Sequence, residues 1–199
     1  MNTNNVSFGK AIPVANCHIF NKNTNKTESA ILYEYDCLDK DEDINEIKSL
    51  PEIFYYKDHV IDRMMYKYVK TVHWGGIDNK NFYSLKNEDG RILGILYTYN
   101  AVDRNGKKTI VIDRLQSDTK SEYKYVGQSM LAALCQTKKD EQTESICVKV
   151  PALTAIDFYT QKCGFQPIPN RELELTKDNF SSLIGITEQK TNGGINIVS

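Results

Sequence analysis

Hydrophobic positions change period several times along the chain, and each change marks a predicted element. The first residues are rich in Asn, Thr and Lys, with short apolar patches at Ala11–Val14 and Cys17–Phe20. They read as an N-terminal arm over residues 1–28, folded as an irregular hairpin around the polar turn Asn21–Lys26. Strand formers then run from Ser29 to Cys37 and end in a charged loop. Behind the acidic run Asp39–Asp43, Ile44, Ile47 and Leu50 recur at helical spacing until Pro51 stops them. The acidic residues suit the positive end of that helix. A second helix is predicted over His59–Val72, with Val60, Met64 and Tyr68 on one face and Trp74-Gly75-Gly76 as its stop.

From Phe82 the period shortens to that of strands. Asn81–Lys86 and Arg91–Tyr99 are strand-like runs joined by the turn Asn87-Glu-Asp-Gly90, and Thr109–Leu115 follows a second Asn-Gly turn at Arg104–Lys107. Three consecutive antiparallel strands are expected there. A helix over Val126–Lys139 places Val126, Met130, Leu134 and Cys135 on its buried stripe. Ser145–Val150 is one more strand, Thr154–Cys163 a short helix, and Glu172–Leu175 part of a final strand region. The order is β-α-α-β-β-β-α-β-α-β over residues 29–175, an α+β arrangement. Residues 176–199 are left as a C-terminal extension or tail that frays at Gly193-Gly194.

Composition narrows the classes. The 199 residues fit one domain that buries about 70% of its unfolded surface. Twenty-five Lys+Arg balance 26 Asp+Glu, so no basic face is implied and no nucleic-acid partner is expected. No run approaches the roughly 20 apolar residues of a membrane span. The start carries no secretory leader, which points to the cytoplasm. The five cysteines (17, 37, 135, 147, 163) form no CxxC, and only three histidines accompany them, so no metal is expected.

The chemistry-bearing segments belong to the last two helices. Ser121-Glu-Tyr-Lys-Tyr-Val-Gly-Gln-Ser-Met-Leu131 leads from a strand into a helix beginning near Gly127. A helix start presents unpaired N–H groups and a partial positive charge, and Gly lets an anion approach the backbone. Further on, Ala155, Phe158, Tyr159, Gly164 and Phe165 stand in a helix with Gly at its C-cap. Together these resemble the GNAT superfamily of acyl-CoA N-acetyltransferases. Its phosphate loop reads Gln/Arg-x-x-Gly-x-Gly/Ala, and its later helix often reads Asn-x-x-Ala-x-x-Phe-Tyr-x-x-x-Gly-Phe. Here Glu122 stands for the Gln or Arg, Tyr125 for the first Gly and Ala152 for the Asn, while Gly127 keeps the second Gly.

The resemblance implies a mixed, largely antiparallel sheet flanked by helices in three layers. It also implies direct transfer of an acetyl group from acetyl-CoA to a primary amine in a ternary complex. Tyr125, Val126, Gly127, Gln128 and Ser129 would offer backbone N–H groups to the pyrophosphate, with Lys124 near a phosphate. Leu115, Gln116 and Ser117 would pair with the pantetheine arm. Tyr159 would be the general acid for the departing thiolate; its alternative is a packed tyrosine hydrogen-bonded at its tip. Asp113 is the candidate base, with a strand-face ion pair as its alternative. The acceptor is an amine on a small molecule or a protein, and an edge strand near the C-terminus is free to pair with a second copy. The departures at Glu122 and Tyr125 keep a second reading open: a non-catalytic CoA-binding or protein-interaction module.

Overall fold

A computed structural model describes residues 11–35, 80–102, 106–118 and 121–198. The helices expected over 44–50 and 59–72, and the Trp74–Gly76 stop, lie outside the described residues.

The chain begins with a hairpin, β1 (Ala11–Asn21) and β2 (Lys26–Tyr35), paired from Ala11↔Tyr35 to Asn21↔Lys26. Alternation decides it: Ala15, Cys17 and Ile19 turn inward on β1, and Ala30 and Leu32 on β2. At the tip, Asn21 Oδ1 accepts the Asn23 N–H (2.9 Å) and Asn25 takes the left-handed φ of 55°. The expected arm is therefore a hairpin within the sheet wherever it is described. Its apolar patches were too short to reveal that they alternate against a buried layer.

Three antiparallel strands follow as expected: β3 (Lys80–Asn87), β4 (Ile92–Val102) and β5 (Lys108–Ser117). The short β6 (Tyr123–Lys124) returns to pair with β1 at Phe20 and Asn21. Helix α1 (Val126–Lys138) leads to β7 (Ser145–Val148). The two short strands β8 (Gln166–Ile168) and β9 (Glu172–Thr176) come next. Helix α2 (Phe180–Thr191) and β10 (Asn196–Ile197) close the chain. The sheet runs β10-β1-β2-β3-β4-β5-β7-β9-β8, and every pair is antiparallel except β5 with β7.

The core lies between this sheet and α1, whose Met130, Leu131, Leu134 and Cys135 are fully buried. Gly94 lets the helix come close: a Cβ there would lie 2.6 Å from Met130 Sδ and 2.9 Å from Val126 Cγ1. The expected C-terminal tail is instead packed. Helix α2 lies against α1 and buries Phe180, Leu183 and Ile184. The segment around Gly193-Gly194 is held in place, with Gly194 O bonded to His18 Nδ1 (2.8 Å) and the Ile195 N–H donating to Glu188 Oε1 (2.8 Å). Among the described residues, no helix is long and apolar enough to cross a membrane.

The short helix expected over Thr154–Cys163 also differs. A 3₁₀ turn at Leu153–Ala155 leads into a widened, π-helical turn at Phe158–Lys162, closed by the Phe165 N–H on the Tyr159 carbonyl (3.0 Å). A side chain from α1 satisfies the carbonyl at its end: Gln128 Nε2 donates to the Lys162 carbonyl (3.0 Å).

Candidate functional site

Strands β5 and β7 part company halfway. They pair from Thr109↔Ser145 to Ile112↔Val148, after which β5 continues to Ser117 with β4 alone beside it. The edge of β5 from Asp113 onward thus has no β7 partner. Asp113 is itself a bulge, skipped between the pairs Tyr97↔Arg114 and Thr98↔Ile112. Beyond it, Leu115 opposes Leu96 on the face covered by α1, while Arg114 and Gln116 oppose Tyr97 and Ile95 on the other face. Leu115, Gln116 and Ser117 are all half-buried along this opening.

The loop from β5 to α1 is pinned from outside. Arg91 donates to Glu122 (3.0 Å) and Asp118 (3.1 Å), and the Lys22 N–H donates to the Glu122 carbonyl (2.8 Å). Glu122 therefore spends its carboxylate on Arg91, just before β4 and 31 residues away in sequence, which local patterning does not reveal. Tyr125 occupies the helix N-cap at φ 67° and ψ 8°, the left-handed backbone that glycine takes readily. The substitution keeps the backbone turn and adds strain in place of freedom.

No side chain caps α1, and its first internal bond runs from the Ser129 N–H to the Tyr125 carbonyl (2.8 Å). The amides of Val126, Gly127 and Gln128 precede that bond, so they are the N–H groups this helix start offers. Ser129 is a correction: its N–H is used within the helix, and its hydroxyl donates to the His18 carbonyl (2.8 Å). The Gln128 side chain is likewise engaged, as described, and Val126 is buried beneath the helix. Lys124 stays exposed, with Nζ 6.0 Å above the Phe20 ring.

Three distant segments converge at Gly127. A Cβ there would lie 3.3 Å from Phe158 Cζ and 3.7 Å from Leu115 Cδ2. The open strand, the uncapped helix start and the π-helical turn thus meet at one point. Tyr159, next to Phe158, is 6% exposed and packs edge-on against Phe158 (5.2 Å) and Phe165 (5.3 Å). Burial, with the nearby Cys163 thiol, pushes its phenol above the ordinary range, so it stays protonated. Cys163 is itself pushed up to about 12 by burial, which makes it a poor nucleophile. Asp113 makes none of the ion pairs weighed for it, and its Oδ2 is buried without a hydrogen-bond partner among the described residues. A cleft of about 600 Å³ lies at the other end of β5, between Lys108–Ile110 and residues 140–143, and holds none of the expected site residues.

By sequence, no known family and no curated protein matches the chain. By structure, several solved proteins do. A Tyr-to-Phe mutant of the AtaT toxin, bound to the C-terminus of the antitoxin AtaR and acetyl-CoA, superposes with TM-score 0.58 at 12% identity, covering 78% of this chain and 98% of that one. The chain has the GNAT-like fold. AtaT complexed with acetyl-methionyl-tRNAfMet gives TM-score 0.52 at 13% identity over 67% of this chain and 91% of that one. The KacTA–DNA complex gives 0.53 at 17% identity over 66% and 88%. The likeness is one of fold.

Proposed function

We propose that the chain is an acetyl-CoA-dependent N-acetyltransferase acting on a primary amine. The observation that carries this is the meeting of Leu115, Gly127 and Phe158 in a fold shared with proteins solved with acetyl-CoA. The open edge of β5 over Leu115–Ser117 offers backbone groups to an extended pantetheine. The amides of Val126, Gly127 and Gln128 face the pyrophosphate at the positive end of α1.

In the reaction, the amine nitrogen attacks the thioester carbonyl carbon. A C–N bond forms, the C–S bond breaks, and CoA leaves as a thiolate while the nitrogen sheds a proton. Asp113 at the bulge accepts that proton, directly or through water. The Tyr159 phenol serves the thiolate. A free thiol has a pKa of about 8.5, and burial lifts the phenol above its usual value, so full proton transfer is uphill. Tyr159 therefore stabilises the leaving sulfur chiefly as a hydrogen-bond donor.

The alternative, a non-catalytic module, drew on the departures at Glu122 and Tyr125. The glycine-like backbone of Tyr125 and the Arg91 contacts of Glu122 weaken that case, since the first keeps the turn into the helix and the second holds Glu122 to Arg91. The charge balance argued against a nucleic-acid partner, yet neighbours of the same fold are described with DNA and with acetyl-methionyl-tRNAfMet. An aminoacyl-tRNA amine therefore belongs among the acceptors to be assayed. Acetyl-CoA should raise the melting temperature of the purified protein. Tyr159→Phe should lower kcat by about tenfold to a hundredfold, the scale of one hydrogen bond to a charged group, with acetyl-CoA binding retained. Absence of acetyl-CoA binding at saturation would sink the proposal.

A further inference from the structure

Asp113 and Arg114, both half-buried, follow one another where β5 leaves β7. Asp113 Oδ2 and Arg114 Nε are both sealed from solvent without a hydrogen-bond partner, and neither residue joins an ion pair among the described residues. Arg91, Lys107 and Lys138, by contrast, each have a carboxylate at 2.7–3.1 Å. Buried polar atoms in folded proteins almost always find partners, so an exception calls for an explanation. The bulge supplies its geometry. It displaces Asp113 from the β4 ladder just past the last β5–β7 pair, Ile112↔Val148, and directs Arg114 to the face away from α1. The segments assigned to the acyl donor, Leu115 and Gly127, belong to the α1 face. The two residues therefore lie beside the donor track without being part of it.

We propose that Asp113 and Arg114 form the acceptor subsite, and that the acceptor is an amine carrying an anionic oxygen group, carboxylate or phosphate. This rests on the acetyl-transfer reading for its chemistry. Arg114 holds the anion, for which a guanidinium fork is well shaped. Asp113 faces the amine, which arrives neutral after losing its first proton to solvent, and takes the proton it sheds on attack. An acceptor of this kind meets both half-buried groups at their accessible ends; a neutral amine leaves the guanidinium without an anion.

The test compares each L-amino acid with its amide and O-phosphoethanolamine with ethanolamine, with aminoacyl-tRNA as a further arm. The amine of an amino-acid amide is less basic than that of the acid, so more of it is neutral at pH 7.5. A preference for the acid thus cannot come from basicity. The anionic member should lead its neutral partner in kcat/KM by about tenfold to a hundredfold, the range for a hydrogen bond to a charged group. Arg114→Gln should collapse that ratio while leaving the Kd for acetyl-CoA within about twofold, which also reports that the variant folds. Arg114→Lys should restore part of it. The preferred arm identifies the anion as carboxylate, small phosphate or nucleic-acid phosphate. Equal use of charged and neutral partners, or a ratio that Arg114→Gln leaves intact, overturns the proposal. Should the wild type fail to bind acetyl-CoA, calorimetry with the anionic amines alone decides the matter. Binding lost in Arg114→Gln upholds the subsite, and no binding refutes it.

Discussion

Gly127 stands under two demands, one from packing and one from ligand approach, and they predict different things. An added Cβ meets Phe158 Cζ at 3.3 Å, tight but yielding, while alanine favours helix over glycine by up to about 1 kcal/mol. Gly127→Ala should therefore leave the melting temperature nearly unchanged. If the phosphate approaches here, acetyl-CoA affinity should fall by about tenfold, the scale of one charge-assisted hydrogen bond; unchanged affinity in calorimetry would remove Gly127 from the site. The thiols make a separate prediction. Burial holds Cys17 and Cys163 at about 12 and Cys147 at about 11, raised from 9.0. A folded pKa raised in this way contributes stability that is complete below pH 9 and lost as pH climbs toward 11–12. Denaturant titrations between pH 8 and 10.5 should show that loss, up to about 1.4 kcal/mol per pH unit per thiol. Alkylation of the native protein at pH 8.5 should spare all three. The burial of Cys147 and Cys163 is legible from their apolar neighbours in the sequence; that of Cys17, between Asn16 and His18, is not. Nor is the unpartnered Nε of Arg114, because nothing local says whether a partner exists.

At the level of elements, α1 and β4 depend on the absence of a side chain. Gly94→Ala puts a Cβ against Met130 Sδ and Val126 Cγ1, closer than packed atoms tolerate, with the Gln116 carbonyl at 3.3 Å. Overpacking of this kind costs about 1–3 kcal/mol. The denaturant midpoint should drop accordingly, and a neutral variant would mean the helix is not held there. The strands β3, β4 and β5 were readable because period-two runs were punctuated by Asn-Gly and Asp-Gly turns. The π-helical turn at Phe158–Lys162 was not, because its residues carry the same spacing as an ordinary helix and its end is bonded by Gln128 of α1.

The whole molecule joins its ends. The β1–β2 hairpin, α2 and β10 together cover one side of the core, with β10 paired to Ala15 and Asn16. Truncation after Thr176 removes Phe180, Leu183, Ile184 and Ile195, all buried. Each such loss costs about 2–5 kcal/mol, so their sum rivals the 5–15 kcal/mol of a typical domain. The shortened chain should be insoluble or lack native circular dichroism; a folded, soluble product would show the C-terminal segment to be dispensable.

Sequence by itself determined the strands β3, β4, β5 and β7, the buried stripe of α1 and the resemblance carried by Ala155, Phe158, Tyr159, Gly164 and Phe165. Those follow from local period, turn chemistry and spacing, which neighbouring residues set among themselves. Tertiary structure alone decided three things: where β5 and β7 separate, that Glu122 belongs to Arg91, and that Asp113 Oδ2 and Arg114 Nε find no partner among the described residues. Each depends on what residues far apart in the chain bring to one place.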